Sequence, residues 1–329
     1  MKTSKLVTMF ASAALVCSVG TAAAMEKIVF QLGWLPGGNY APLYVGIDQG
    51  IFEAAGFDVS IQSGRGAADV ITKMSTGTSD IGISAFGGLL RSHVKGNDQI
   101  KAVYSVYTQQ PDSIITYEGS GIETLADVSG KKIATSANSA SNFSWPIVLQ
   151  NNGVDPDSVT LIKSDPKTLA PMLATGQADA VIAFSTNGPS YSEILGKADK
   201  SIVILPWSEF GFDGYSHMLY ATPEMINDRT EALKGFLAAY TTSVKAAMAD
   251  HEAAADSVVA VAPQLDRDVA LKQWESALAL IDNAVSQASG LGQIDENRVK
   301  ATWEWAAKAQ SLEMDTIDPM DAVALGFVE

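Results

Sequence analysis

The chain has 329 residues, a single cysteine, and a formal net charge of −15 from 22 basic and 37 acidic side chains. A surface of that sign repels phosphate backbones and anionic lipid, which excludes a nucleic-acid partner as the expected one while leaving room for a local small-anion pocket. The length suits two core-forming units that rest on apolar burial rather than on disulfides.

In chain order, Lys2 and Lys5 come first, followed by an apolar run from Leu6 to Gly20 and then Ala22-Ala23-Ala24. This is the pattern of a cleavable signal peptide over residues 1–24, and it predicts export to the periplasm. The run falls short of the roughly 20 residues that span a bilayer. A lipoprotein signal wants a small residue before its cysteine, and Val16 precedes Cys17. Cleavage before Met25 removes two lysines and the cysteine, leaving 20 basic against 37 acidic residues, a net charge of −17.

Beyond the leader, strands and helices alternate. IVFQLG (28–33) reads as a strand, APLYVGIDQGIFEAAG (41–56) as a helix closed by Gly56, and FDVSIQS (57–63) as a strand. A helix ending at Gly77 leads into the strand SDIGIS (79–84). After further strands near 100–118 the series restarts: KKIATS (131–136), a helix around 142–151, SVTLIKS (158–164), a helix from Pro166, and ADAVIAFS (178–185). Asp165 as N-cap, Pro166 at the first helical position and Gly176 after the last turn bracket that helix. TGTSDIGI (76–83) and TGQADAVI (175–182) echo each other, as a duplicated unit would, and equally as helix-to-strand turns converge on Gly and Asp. From Thr222-Pro223 the chain turns helical, with Leu233, Phe236, Leu237, Tyr240, Val244 and Met248 at helical spacing, then Val299, Trp303, Ala306 and Ala307. The pattern predicts two α/β lobes, each a mostly parallel sheet with helices on both faces, and a helical C-terminal tail packed on the first lobe.

The run LGWLPGGNYAPLYVGIDQGIFEAAGFDV, with Gly50, Phe52, Gly56 and Val59 in a G-x-F-x-x-x-G-x-x-V pattern, resembles the opening of periplasmic solute-binding proteins of the nitrate, sulfonate, taurine and thiamine-pyrimidine-precursor group. GRGAADVITKMSTGTSDIGIS and LADVSGKKIATSANSASNFSWPIVLQNNGVDPDSVTLI agree with it, so the resemblance covers about residues 26–220. It implies a type II, two-lobed binding protein that closes on a small solute and delivers it to the permease of an ABC importer, working as a monomer without a cofactor. Lobe one is expected over 25–112 and 219–329, lobe two over 113–218, with crossings near 109–113 and 217–221.

In such sheets ligands sit beyond the carboxyl ends of the strands, at helix N-termini. Four such ends carry more polar or aromatic groups than a turn needs. The opening loop offers Trp34, Asn39 and Tyr40, Gly64-Arg65-Gly66 opens a helix, and Ser84 and Phe86 follow a strand. TSANSASNFSW (135–145) places Ser136, Asn138, Ser139, Ser141, Asn142 and Phe143 together. Facing them, Ser185 and Asn187 follow the strand of the second echo; Trp207 and Glu209 lie near the return crossing. By resemblance, 139–141 matches the small-residue signature whose hydroxyls and amides hold ligand.

Chemistry is weighed against binding. Gly82 to Gly87 has one residue too many for a G-x-S-x-G nucleophile elbow. His93, His217 and His251 are not at metal-ligand spacing. The thiamine-pyrimidine synthase of the resembled group carries a histidine in its matching first loop and a cysteine-rich iron-binding motif, where this chain has Asn39-Tyr40 and no mature cysteine. The expectation is therefore a protein that is not an enzyme. Trp34, Tyr40, Phe86, Phe143, Trp145 and Trp207 against one Arg65 favour a planar heterocycle, such as a thiamine pyrimidine precursor, over taurine, an alkyl sulfonate or nitrate.

Overall fold

A computed structural model describes residues 25–328; the expected signal peptide at 1–24 lies outside the described residues. Ten strands form two five-stranded sheets. They are β1 (Glu26–Gln31), β2 (Phe57–Gln62), β3 (Ile81–Ala85), β4 (Lys101–Ser105), β5 (Asp112–Tyr117), β6 (Lys132–Ser136), β7 (Thr160–Ser164), β8 (Ala180–Phe184), β9 (Ile202–Pro206) and β10 (His217–Ala221). The first sheet runs β2-β1-β3-β10-β4 and the second β7-β6-β8-β5-β9. In each, three parallel strands are followed by one antiparallel crossing strand: β10 pairs antiparallel with β3 and β4, and β5 with β8 and β9. The chain thus leaves the first sheet after β4, and returns after β9 to slot β10 between β3 and β4.

The two echoed segments lead into β3 and β8, which hold equivalent places in their sheets. Their aspartates make the same bond. Asp80 Oδ2 accepts from Val29 N–H and Asp179 Oδ2 from Lys132 N–H, each at 2.7 Å. The Asp therefore staples a strand entry to the neighbouring parallel strand, a job an isolated turn does not require.

Apolar burial explains the layers. Phe30, Phe52 and Phe57 of lobe one pack with Leu233, Phe236 and Tyr240 of the tail helix Thr230–Ala249, and Phe52 stacks on Phe236 at 5.1 Å. On the other face, Phe86, Met218 and Tyr220 pack with Val299, Trp303 and Ala307 of the helix Glu296–Lys308. The tail thus covers both faces of the first sheet, and each buried Leu or Phe contributes about 1.5–3 kcal/mol. In the second lobe Trp145 stacks on Trp207 at 5.3 Å inside the core. One helix differs from expectation: 41–56 is split into Ala41–Asp48 and Ile51–Ala54, because Gly50 sits at φ +69° and turns the chain left-handed between them. Among the described residues no helix is long and apolar enough to cross a membrane.

Candidate functional site

The carboxyl ends of the parallel strands of both sheets face one interlobe cleft. Gly33 and Trp34 follow β1, Ser84 and Ala85 end β3, Ser139 to Ser141 follow β6, and Phe184 with Asn187 closes β8. His217, the first residue of β10, enters the same cleft because an antiparallel strand begins where its parallel neighbours end. Trp34, Ile182, Phe184 and His217 give it an apolar and aromatic wall; Ser84, Ser139, Ser141 and Asn187 give it polar edges. The part of the cleft that these residues line encloses about 30 Å³, room for about one or two waters. The lobes meet closely here, and this arrangement leaves less room than a ring-sized solute needs.

Small residues let them meet. Gly66, at φ +121°, lies so close to lobe two that a Cβ would collide with the carbonyl oxygen of Asn138. Beside it Ser136 Oγ donates to the Arg65 carbonyl at 3.1 Å. On the opposite rim Gln273, on the tail helix Arg267–Ile281, accepts from Gly38 N–H at 2.7 Å and donates to Ser190 Oγ at 2.8 Å, latching lobe one to lobe two. Trp34 packs against the cores of both lobes.

His217 is 2% exposed and its Nδ1 has no hydrogen-bond partner. Burial pushes its ring pKa down to about 3, so the imidazole is neutral. Tyr107 and Phe184 hold it from the sides, with ring centroids 4.6 and 5.2 Å away. The small-residue turn is prearranged too: Ser139 Oγ donates to Ser141 Oγ at 2.9 Å and accepts from Ser141 N–H at 3.3 Å. Asn142 faces inward as scaffold, accepting from Thr135 Oγ1 and donating to the Ser136 carbonyl. Asp112, the first residue of β5, is 4% exposed; burial pushes its carboxyl up to about 6, partly offset by the Ser141 hydroxyl and its own backbone N–H.

Of the residues singled out in the sequence, Trp34, Ser84, Ser139, Ser141 and Asn187 come together in the cleft. The others are moved elsewhere. Tyr40 is 3% exposed in the lobe-one core, and Asn39 lies behind it with its carbonyl accepting from the Tyr107 hydroxyl. Phe86 is fully buried on the other face of the sheet, where its apolar area gains more than at a solvated rim. The Arg65 side chain is exposed, and only its backbone faces lobe two. Asn138 and Phe143 line a flanking groove, where the Arg91 guanidinium covers the Phe143 ring. Ser185 begins the turn after β8, its N–H donating to the Pro111 carbonyl. Sequence reasoning missed His217, Phe184 and Asp112. Their signal was positional: each begins or ends a strand at a lobe crossing or at the cleft edge. Among the described residues no three His, Cys, Asp or Glu side chains cluster as metal ligands.

The family model described as NMT1/THI5 like matches residues 38–254. The 4-amino-5-hydroxymethyl-2-methylpyrimidine phosphate synthase THI13 of Saccharomyces cerevisiae is 23% identical over 269 residues, covering 79% of this chain and 78% of that protein. Among solved structures, the alkanesulfonate-binding protein SsuA of Xanthomonas axonopodis pv. citri bound to MOPS matches with a TM-score of 0.70 at 16% identity, over 92% of this chain and 99% of that one. The periplasmic aliphatic sulphonate binding protein SsuA of Escherichia coli matches at 0.68 and 14%, over 91% and 97%. These likenesses show the periplasmic-binding-protein fold expected from the sequence. The first of the three corrects another expectation, that the chain is not an enzyme: a relative aligned over most of its length is named as a synthase. The opening loop carries no histidine, and the histidine that lines the cleft, His217, comes from the crossing strand.

Proposed function

The chain belongs to the NMT1/THI5-like family, and from that premise we propose that it captures a pyrimidine of the thiamine-precursor kind between its lobes and delivers it to the permease of an ABC importer. The observation that carries this reading is the chemistry of the cleft. Its wall is Trp34, Phe184 and a neutral His217, its edges are serine hydroxyls and Asn187, and among the described residues no Lys or Arg lines it. Planar heterocycles take an aromatic face plus a few directional polar contacts. The relatives named as synthases make a pyrimidine phosphate, which fits a pyrimidine as the solute class, and the carrier reading rests on the cleft. The signal-peptide pattern at 1–24 and the periplasmic names of the solved neighbours support export and work outside the cytoplasm.

A small anion is the second reading. It is favoured by the helices Ala67–Ser75, Phe86–Val94, Ser141–Asn151 and Gly188–Gly196, whose N-termini all lie at the cleft. A thermal-shift screen of the exported chain against 4-amino-5-hydroxymethyl-2-methylpyrimidine, thiamine, taurine, alkyl sulfonates and nitrate separates the two. The pyrimidine at 100 times its Kd should add about 2.7 kcal/mol of stability. A shift with a sulfonate or nitrate and none with any pyrimidine contradicts the first reading.

A further inference from the structure

A second chamber opens off the aromatic cleft. It shares Ala85, Ala140 and Ser141 with it and runs towards the hinge, where Gln110, Asp112 and Ser144 meet Phe212 and Trp305. Its free volume is also about 30 Å³, room for one small group. Gln110 is fixed there by its Nε2, which donates to the Tyr215 carbonyl at 2.7 Å. Asp112 is 4% exposed, and no cation is among the groups that act on its carboxyl. A buried carboxyl without a cationic partner costs stability; within the chain the Ser141 hydroxyl and its own backbone N–H offset part of that cost, and its two oxygens have further acceptor capacity for a donor on the solute.

We infer that Asp112 is a recognition residue for the exocyclic amino group of the solute, in an acidic subsite beside the aromatic one. The inference rests on the reading of the cleft as a pyrimidine site and narrows it to aminopyrimidines. A carboxyl group and the edge formed by a ring nitrogen and its neighbouring amino group make two parallel hydrogen bonds. The amino N–H donates to one carboxyl oxygen, and the second bond forms with its proton on either the ring nitrogen or the other carboxyl oxygen. Ser141, touching both chambers, ties the two subsites together: its hydroxyl accepts from Ser139 at 2.9 Å and faces Asp112. The same carboxyl repels sulfonate and nitrate groups that the helix N-termini would otherwise attract.

The test is calorimetric titration of the exported chain and of Asp112→Ala with two probes. One is 4-amino-5-hydroxymethyl-2-methylpyrimidine; the other, 5-hydroxymethyl-2-methylpyrimidine, lacks only the amino group. The wild type should prefer the amino probe by about tenfold to a hundredfold, the worth of a charge-assisted hydrogen bond, and Asp112→Ala should abolish that preference without lowering the unliganded melting temperature. Equal affinity of the wild type for both probes overturns the subsite and leaves the cleft reading standing, and this holds even if the variant fails to fold. A preference that persists undiminished in Asp112→Ala overturns it as well. Binding of neither probe overturns the cleft reading and the subsite with it.

Discussion

His217 and Asp112 sit at the cleft edge of the two crossing strands, and burial moves their titrations in opposite directions, the His down and the Asp up. The His217 ring, pushed down to about 3, stays neutral where the unfolded chain, titrating near 6.5, takes up a proton. Its contribution to stability is therefore present above about pH 6.5 and is lost progressively as pH falls from there towards 3. Asp112 has the opposite sign. Its carboxyl, pushed up from 3.8 to about 6, keeps a proton that the unfolded chain has released, so it destabilises the fold fully above about pH 6 and not below about 3.8, by about 3 kcal/mol. Melting curves between pH 4 and 8 should show Asp112→Asn more stable than wild type at pH 8 and little different at pH 4; a uniform loss at every pH would contradict the assignment. His217→Gln should remove much of the acid-side decline. Trp34, half-buried between both lobes, is the aromatic face that the proposed ring meets. Stacking of a base on an aromatic side chain is worth about 1–3 kcal/mol, so Trp34→Ala should weaken pyrimidine binding about tenfold to a hundredfold in a calorimetric titration while the unliganded protein still folds.

At the scale of elements, closure depends on loops that approach without side chains. A methyl group at Gly66 would strike the Asn138 carbonyl from across the cleft, and φ +121° is hostile to any L side chain. Gly66→Ala should hold the lobes apart, so that binding weakens more than the melting temperature falls; unchanged affinity would show that the two loops do not meet in the bound form. The repeated strand and helix units were legible because each parallel strand carries its own apolar run and each following helix its own cap, as at Asp165 and Pro166, where the Asp side chain accepts from Lys167 N–H. The echo around Asp80 and Asp179 was legible as a pattern, but the shared staple to the neighbouring strand needed coordinates. The crossing strands were not legible as antiparallel, since a buried strand reads the same in either direction. That is why His217 passed as a crossing residue and Asp112 went unremarked. Tyr40 and Phe86 failed for a different reason: an aromatic residue beside a strand end has the same sequence signature in the core as at the rim, and only packing decides between them.

For the whole molecule, two α/β lobes joined by two crossings, with a helical tail packed onto the first, have the architecture in which hinge closure around a ligand is expected. Its closed form is held by few polar contacts, Gln273 to Ser190 and Ser136 to Arg65 among them, each worth about 1 kcal/mol. Contacts of that size would let a solute shift the balance between open and closed forms. Scattering profiles of the unliganded protein in solution should be more open than this structure and become more compact when pyrimidine is added, and Gln273→Ala, which removes the latch and leaves the Gly38 N–H without its acceptor, should open the unliganded protein further. Coincident profiles with and without a stabilising ligand would exclude closure. The most direct measurement is calorimetric titration of the chain from Met25 onward with 4-amino-5-hydroxymethyl-2-methylpyrimidine, repeated in excess taurine and nitrate. Saturable binding of one pyrimidine per chain, undisturbed by either anion, is the predicted result; heat from the anions with none from the pyrimidine would contradict the account.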